Sequence, residues 1–178
     1  EFDDYLSCNI KDEKKVEKIA ISHLIDYLNG YYKEDLKEKN IDFLFPVLKN
    51  VKEKFSDTIL IIVGGGQELE KLKEKAKKMN LHKDIIFTGY RTKDELSYFY
   101  KLADVFVFPS KTETQGLVTL EAMMSGLPVV AIGEMGTIDV MQGDNGGFMV
   151  KEDQKEFSDR VIELLSDKEL YKAKKEEA

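Results

Sequence analysis

Four apolar residues, Val105-Phe106-Val107-Phe108, end at Pro109 and deliver Ser110-Lys111-Thr112-Glu113-Thr114-Gln115 to Gly116, which opens a helical segment. At that helix start the backbone N–H groups of Gly116, Leu117 and Val118 have no intrahelical partner, and the helix dipole adds positive potential. The combination suits a phosphate or diphosphate. Gly116, lacking a side chain, keeps the loop open to close approach of a ligand. Two carboxylates flank the helix start: Glu113 in the loop, and Glu121 eight residues on, within the helix. Each can accept hydrogen bonds from hydroxyls such as those of a sugar and a ribose. An exposed loop acid and an ordinary helix-face acid are the competing readings, because the dipole alone favours acids near helix starts.

The elements that must position these groups alternate along the chain. Ile41, Leu44, Phe45, Leu48 and Val51 recur at helical spacing. The run Ile59–Val63 reads as a buried strand ending in Gly64-Gly65-Gly66, followed by a Lys/Glu-rich helix over about 68–79. A strand over 84–88, a helix over 93–102, the strand over 104–108 and a helix over 116–124 follow. Ser125-Gly126 stops that helix, and Leu127-Pro128 opens a strand to Ile132. Gly133, Gly136, Gly143, Gly146 and Gly147 read as a loop region, with a short strand over 147–150. Two helices, over 154–165 and 168–175, finish the chain. Val16, Ile19, Ile21, Leu24, Ile25 and Leu28 place a first strand near Ile19–Leu28, before a turn at Gly30-Tyr31-Tyr32. Apolar strands alternating with amphipathic helices predict an α/β fold, a Rossmann-like doubly wound parallel sheet. Ligands of such sheets bind beyond the carboxyl ends of the strands. Three loops lie there: Gly64-Gly65-Gly66, Thr88-Gly89-Tyr90-Arg91, and Pro109 to Gly116.

Composition narrows the classes. The 178 residues are enough for one domain with a full core, and 42% apolar content argues against disorder. A net charge of −7 argues against a nucleic-acid partner, which needs cationic surface. The lysines of 71–78 are interleaved with acids, with Glu70 and Glu74 each facing a lysine about a turn on, as on a solvated face. The longest apolar run falls far short of the roughly 20 residues of a membrane span. One cysteine, Cys8, cannot pair within the chain and has no basic neighbour to activate it, which points to a reducing cytoplasm. Gly64-Gly65-Gly66 lacks the third glycine of a dinucleotide fingerprint and suits a tight strand-to-helix turn better. His23 and His82 are too far apart to suggest a metal or catalytic pair, and His82 reads as a surface turn residue. Met123, Met124, Tyr98, Phe99 and Tyr100 read as packing residues, and Asp104 as a turn or capping acid. The chain begins with Glu1 rather than Met, in line with a piece of a longer protein.

The stretch Glu113-Thr-Gln-Gly-Leu-Val-Thr-Leu-Glu121-Ala-Met-Met-Ser-Gly126-Leu-Pro128-Val-Val-Ala131 resembles the signature, two glutamates separated by seven residues, of the retaining nucleotide-sugar glycosyltransferases of family four. The resemblance extends to Glu38-Lys39-Asn40-Ile41, Ile62-Val63-Gly64-Gly65-Gly66, Ile86-Phe87-Thr88-Gly89-Tyr90 and Ala103 to Ser110, in the family's order. It implies the C-terminal, donor-binding half of a GT-B fold. Residues 1–178 then form a single nucleotide-sugar-binding domain, with residues 1–37 as interdomain linker plus first strand and the N-terminal acceptor domain absent.

The resemblance also implies roles. Gly116, Leu117 and Val118 offer amides to the donor diphosphate; Glu121 holds ribose hydroxyls; Glu113 contacts the transferred sugar. Gly89, Tyr90 and Arg91 lie where the family holds the nucleobase, Gly64 lines the donor cleft, and Lys39 neutralises phosphate. Charge stabilisation of the leaving diphosphate by such groups lets many members work without a metal or other cofactor, the nucleoside diphosphate sugar (a UDP-sugar by expectation) being the substrate. The segment Asn29 to Lys39 departs from the family pattern, lacking the arginine of a Gly-Arg-Leu motif; Lys33 or Lys37 could substitute only as a point charge. The isolated chain is therefore expected to bind donor weakly and turn over little. Gln115, where many relatives carry Phe, is similar to the bacterial glycosyltransferases acting on diacylglycerol, which implies a glycan or membrane-lipid acceptor held by the missing domain, and a cytoplasmic enzyme peripheral to the membrane's inner face. A sugar-nucleotide 2-epimerase and a non-catalytic nucleotide-sugar-binding module are the alternatives.

Overall fold

In the computed structural model, which describes residues 18–23, 39–66 and 68–178, six strands form one sheet in the order β3-β2-β1-β4-β5-β6. Every strand pair is parallel. The strands are β1 (Lys18–His23), β2 (Thr58–Val63), β3 (Ile85–Gly89), β4 (Val105–Phe108), β5 (Val129–Ile132) and β6 (Gly147–Val150). The helices are α1 (Leu44–Lys54, entered through a 3₁₀ turn at Ile41–Phe43), α2 (Leu69–Lys78), α3 (Lys93–Leu102) and α4 (Leu117–Met124). They continue with α5 (Gly136–Met141), α6 (Gln154–Ser166) and α7 (Lys168–Glu177). This is the doubly wound sheet expected from the alternation of patterns. β1 covers the first part of the expected Ile19–Leu28 span; the rest of that span, the turn at Gly30, Cys8, Lys33 and Lys37 lie outside the described residues.

Successive strand residues point to opposite faces, so each strand feeds two cores. Leu60 and Ile62 of β2, with Val105 and Val107 of β4 and Val130 and Ile132 of β5, pack under α1, α2 and α6. Ile61, Val63, Phe106, Phe108, Val129 and Ala131 pack under α3, α4 and α5. A sheet buried on both faces needs strands without alternation, which is why β4 and β5 are apolar at every position. All five apolar positions read at helical spacing, Ile41, Leu44, Phe45, Leu48 and Val51, are buried. Phe43, in the 3₁₀ turn, meets Phe157 of α6 edge to face, with centroids 5.5 Å apart. That contact pins the turn that immediately follows Lys39 and Asn40.

Three expectations need correction. The region 133–147 is not all loop: α5 spans Gly136–Met141, because its glycine serves a close backbone approach rather than a helix break. Tyr98 and Met124 are exposed (56% and 78%), while their neighbours Phe99, Tyr100 and Met123 are buried. Adjacent helix positions are about 100° apart, so a run of large apolar residues cannot all face the sheet.

Replacing Phe157 with Ala should cost about 3–5 kcal/mol, since the ring is fully buried against Phe43. Urea unfolding should show a lowered midpoint with an unchanged slope.

Candidate functional site

The strand order sets the place. From β1 the chain winds outward through β2 and β3, then crosses back to β4 on the other side of β1. The order reverses between β1 and β4, and in open parallel sheets the crevice that takes ligands lies at such a switch point, at the carboxyl edge. Two described segments lie there, Lys39-Asn40 and the loop 109–116 that follows β4. They meet there: Lys39 Nζ lies 3.5 Å from Glu113 Oε2, across 74 residues of chain. Asn40 Nδ2 donates to the Pro109 carbonyl at 3.3 Å.

The loop after β4 is tightly specified. Ser110, fully buried, accepts a hydrogen bond from the Thr112 amide. Glu113 Oε1 accepts from the amides of Gly116 (3.1 Å) and Gln115 (3.3 Å), and so caps the start of α4. The Glu113 carbonyl accepts from the Gly136 amide at 2.9 Å. Gly116 has φ 67°, and a Cβ there would drive into the Gly136 carbonyl and lie 2.6 Å from Val140 Cγ2. A Cβ on Gly136 would lie 2.6 Å from the Gly116 nitrogen. The starts of α4 and α5 thus touch backbone to backbone, which only two glycines permit. The amides of Leu117 and Val118 donate to no other described residue. Thr119 and Thr137, in the first turns of the same two helices, are buried with hydroxyls that have no partner among the described residues.

Lys39 is 6% exposed. A buried ammonium needs an anion nearby, and Glu113 supplies one. Asn40 holds a left-handed conformation (φ 55°), which asparagine tolerates. Its side chain also donates to Glu152 Oε1 at 3.0 Å, while Lys111 Nζ donates to Glu152 Oε2 at 2.9 Å. Glu152, in the turn between β6 and α6, thereby ties together both segments of the crevice. The Lys111 hydrogen bond, assisted by Asn40, holds its carboxyl below the ordinary carboxylate range.

A second group forms at the ends of β2 and β3. The Gly64 amide donates to the Gly89 carbonyl at 2.9 Å, closing an antiparallel bridge; both glycines have positive φ. A Cβ on Gly65 would sit 3.0 Å from the Tyr90 ring, so the ring lies over the glycine turn. Tyr90 is 61% exposed, and Arg91 reaches Glu95 at 3.8 Å beside the start of α3.

Of the residues singled out in the sequence, Lys39, Glu113 and Gly116 come into direct contact, with Leu117 and Val118 next in the chain. Gly64, Gly89 and Tyr90 form the second group, with Arg91 following. Glu121 stands half-buried on α4, and its carboxylate has no hydrogen-bond or ion-pair partner among the described residues. The pattern reading missed Asn40, Lys111, Gly136 and Glu152. Glu152 follows the carboxyl end of β6, so the strand-end rule applied to that strand could have found it. Among the described residues no cluster of three or more His, Cys, Asp or Glu could hold a metal ion, and no helix is long and apolar enough to cross a membrane.

Comparison with known proteins bears on the family and the fold. The family model for glycosyl transferases group 1 matches residues 16–178. The chain is 38% identical over 96 residues to the alpha-monoglucosyldiacylglycerol synthase of Streptococcus pneumoniae, covering 54% of this chain and 22% of that one. It is 34% identical over 139 residues to the GDP-mannose-dependent alpha-(1-6)-phosphatidylinositol monomannoside mannosyltransferase of Mycobacterium tuberculosis, covering 74% of this chain and 36% of that one. The structure superposes on Anabaena Alr3699/HepE, solved with UDP and glucose, at a TM-score of 0.77 and 18% identity, covering 97% of this chain and 45% of that one. The chain thus spans less than half the length of each of these relatives.

Two substitutions test the architecture. Gly136→Ala should cost about 1–3 kcal/mol, because its Cβ meets backbone that has nowhere to move; urea denaturation reads the loss. Glu152→Gln should cost less than about 1 kcal/mol at neutral pH, since both charged partners are well exposed. A carboxyl with a lowered folded-state pKa stabilises above its unfolded value of about 4.5 and loses that contribution as pH falls through the lowered one. The difference in urea midpoint between parent and variant should therefore vanish in strong acid.

Proposed function

Because the chain belongs to the glycosyl transferases group 1 family, we propose that it is the donor-binding half of a longer, retaining hexosyltransferase. The donor is a nucleoside diphosphate hexose, with UDP as the first carrier to test. The observation that carries this reading is that Glu113 brings a buried lysine and the glycine-opened start of α4 onto one carboxylate at the sheet's switch point.

Each group has a task there. Lys39 and the amides of Gly116, Leu117 and Val118 bind the diphosphate oxygens. As the bond from the sugar's anomeric carbon to the diphosphate oxygen breaks, negative charge grows on the leaving group, and these fixed donors stabilise it. Preset donors need no reorganisation as the charge develops, so they favour the transition state over the ground state. Glu121 accepts from the ribose hydroxyls, Glu113 contacts the transferred hexose, and Gly64, Gly89, Tyr90 and Arg91 line the place of the base. The acceptor is a lipid. Both curated relatives support this, since their names place them in diacylglycerol and phosphatidylinositol mannoside chemistry. The acceptor pocket belongs to the half of the enzyme outside this chain, and the whole protein works at the periphery of a membrane.

Glu121→Ala should weaken nucleotide binding by about 1–3 kcal/mol through a lost charged hydrogen bond. Calorimetric titration with UDP and GDP reads this loss. Equal affinity in parent and variant would remove Glu121 from the site.

A further inference from the structure

The groups that would receive the donor's diphosphate are already occupied by an anion of the chain itself. One oxygen of Glu113 faces the Lys39 ammonium; the other accepts the Gly116 and Gln115 amides. A phosphate would use this same set of donors: a cation and the N–H groups of a helix start. We propose that Glu113 is an internal stand-in for the donor diphosphate, holding Lys39 and the start of α4 in place until phosphate oxygens displace its carboxylate. The inference rests on the nucleotide-sugar reading for the identity of the ligand, but its chemistry concerns any diphosphate.

Three features support displacement rather than permanent pairing. The contacts are loose: charge-assisted N–H···O bonds close to about 2.7–2.9 Å, whereas the Lys39 contact is 3.5 Å and the two amide contacts 3.1 and 3.3 Å. The carboxylate is too small to cover the donor set, since the Leu117 and Val118 amides beside it have no partner among the described residues. The Glu113 backbone is anchored separately, its carbonyl held by the Gly136 amide at 2.9 Å, so the side chain can leave while the loop stays.

Carboxylate and phosphate cannot share the pocket, because like charges a few ångströms apart repel. Donor binding therefore drives Glu113 off Lys39 and Gly116. The released carboxylate swings toward the sugar, which is the role proposed for it above. Glu113 is then a positioning residue without donor and a sugar contact with it. Until displaced it lowers apparent affinity for the diphosphate, as any competing closed state does.

The sign of the effect makes this testable. Glu113→Gln and Glu113→Ala should bind inorganic pyrophosphate and UDP about tenfold more tightly than the parent, because the competing anion is gone. A residue that only supports the loop would give weaker binding. Titration calorimetry with pyrophosphate, UDP and UDP-glucose reads the change, and thermal melting verifies that each variant is folded; the isosteric Gln carries the test if Ala is not. Glu134→Gln removes an exposed acid just before α5 and should leave pyrophosphate binding unchanged. Unchanged or weaker pyrophosphate binding in both Glu113 variants would overturn the proposal, as would an equal gain in Glu134→Gln, which would reduce it to net charge. Tighter pyrophosphate binding without any binding of UDP would uphold the stand-in and overturn the nucleotide-sugar reading instead.

Discussion

A lysine ammonium withdrawn from water cannot be left without an anion, and the 6% exposure of Lys39 imposes that condition on the crevice. Glu113 meets it at 3.5 Å. The same carboxylate caps the amides that open α4, so one side chain joins the segment at Lys39 to the loop after β4. The Asn40 side chain, donating to the Pro109 carbonyl, adds a second link between the same two segments.

The arrangement follows from strand order more than from any local motif. β1 and β4 are neighbours in the sheet, yet they are separated by β2, β3 and the intervening helices in the chain. Their outgoing segments meet at the carboxyl edge while the helices they lead to cover opposite faces. The crevice has no room for side chains where α4 and α5 begin, and glycines stand at both contacts. Asn40 and Lys111, joined through Glu152, add an outer tie from β6, so three strand ends contribute to one site. Exposed ion pairs of this kind add little stability, but they limit the angles at which the crevice segments can sit.

Much of this was legible in residue patterns. The apolar runs at β2, β4 and β5 could be neither surface nor membrane segments, and the glycines at 64, 116 and 126 mark ends of strands and helices. The start of α4 was readable because Pro109 ends a strand and Gly116 opens a helix. Other features had no local signal. Gly136 looks like one loop glycine among five; only the approach of Gly116 shows what it is for. Met124 and Tyr98 match their buried neighbours in composition, and a turn of roughly 100° per residue decides which of them faces water. Glu152 carries no signal beyond its place after the end of β6, and only its contacts with Asn40 and Lys111 set it apart from a solvated acid.

The sequence by itself determined the parallel sheet, the helices that cover it apart from α5, and the chemistry present at the start of α4. Periodicity and turn residues act over a few positions, and those decisions are local. Tertiary structure alone decided which groups meet: that Lys39 faces Glu113 across 74 residues, and that Glu152 reaches Asn40 across 112. Coulomb and hydrogen-bond energies depend on distances of a few ångströms, and only strand order and packing set those distances between segments far apart in the chain.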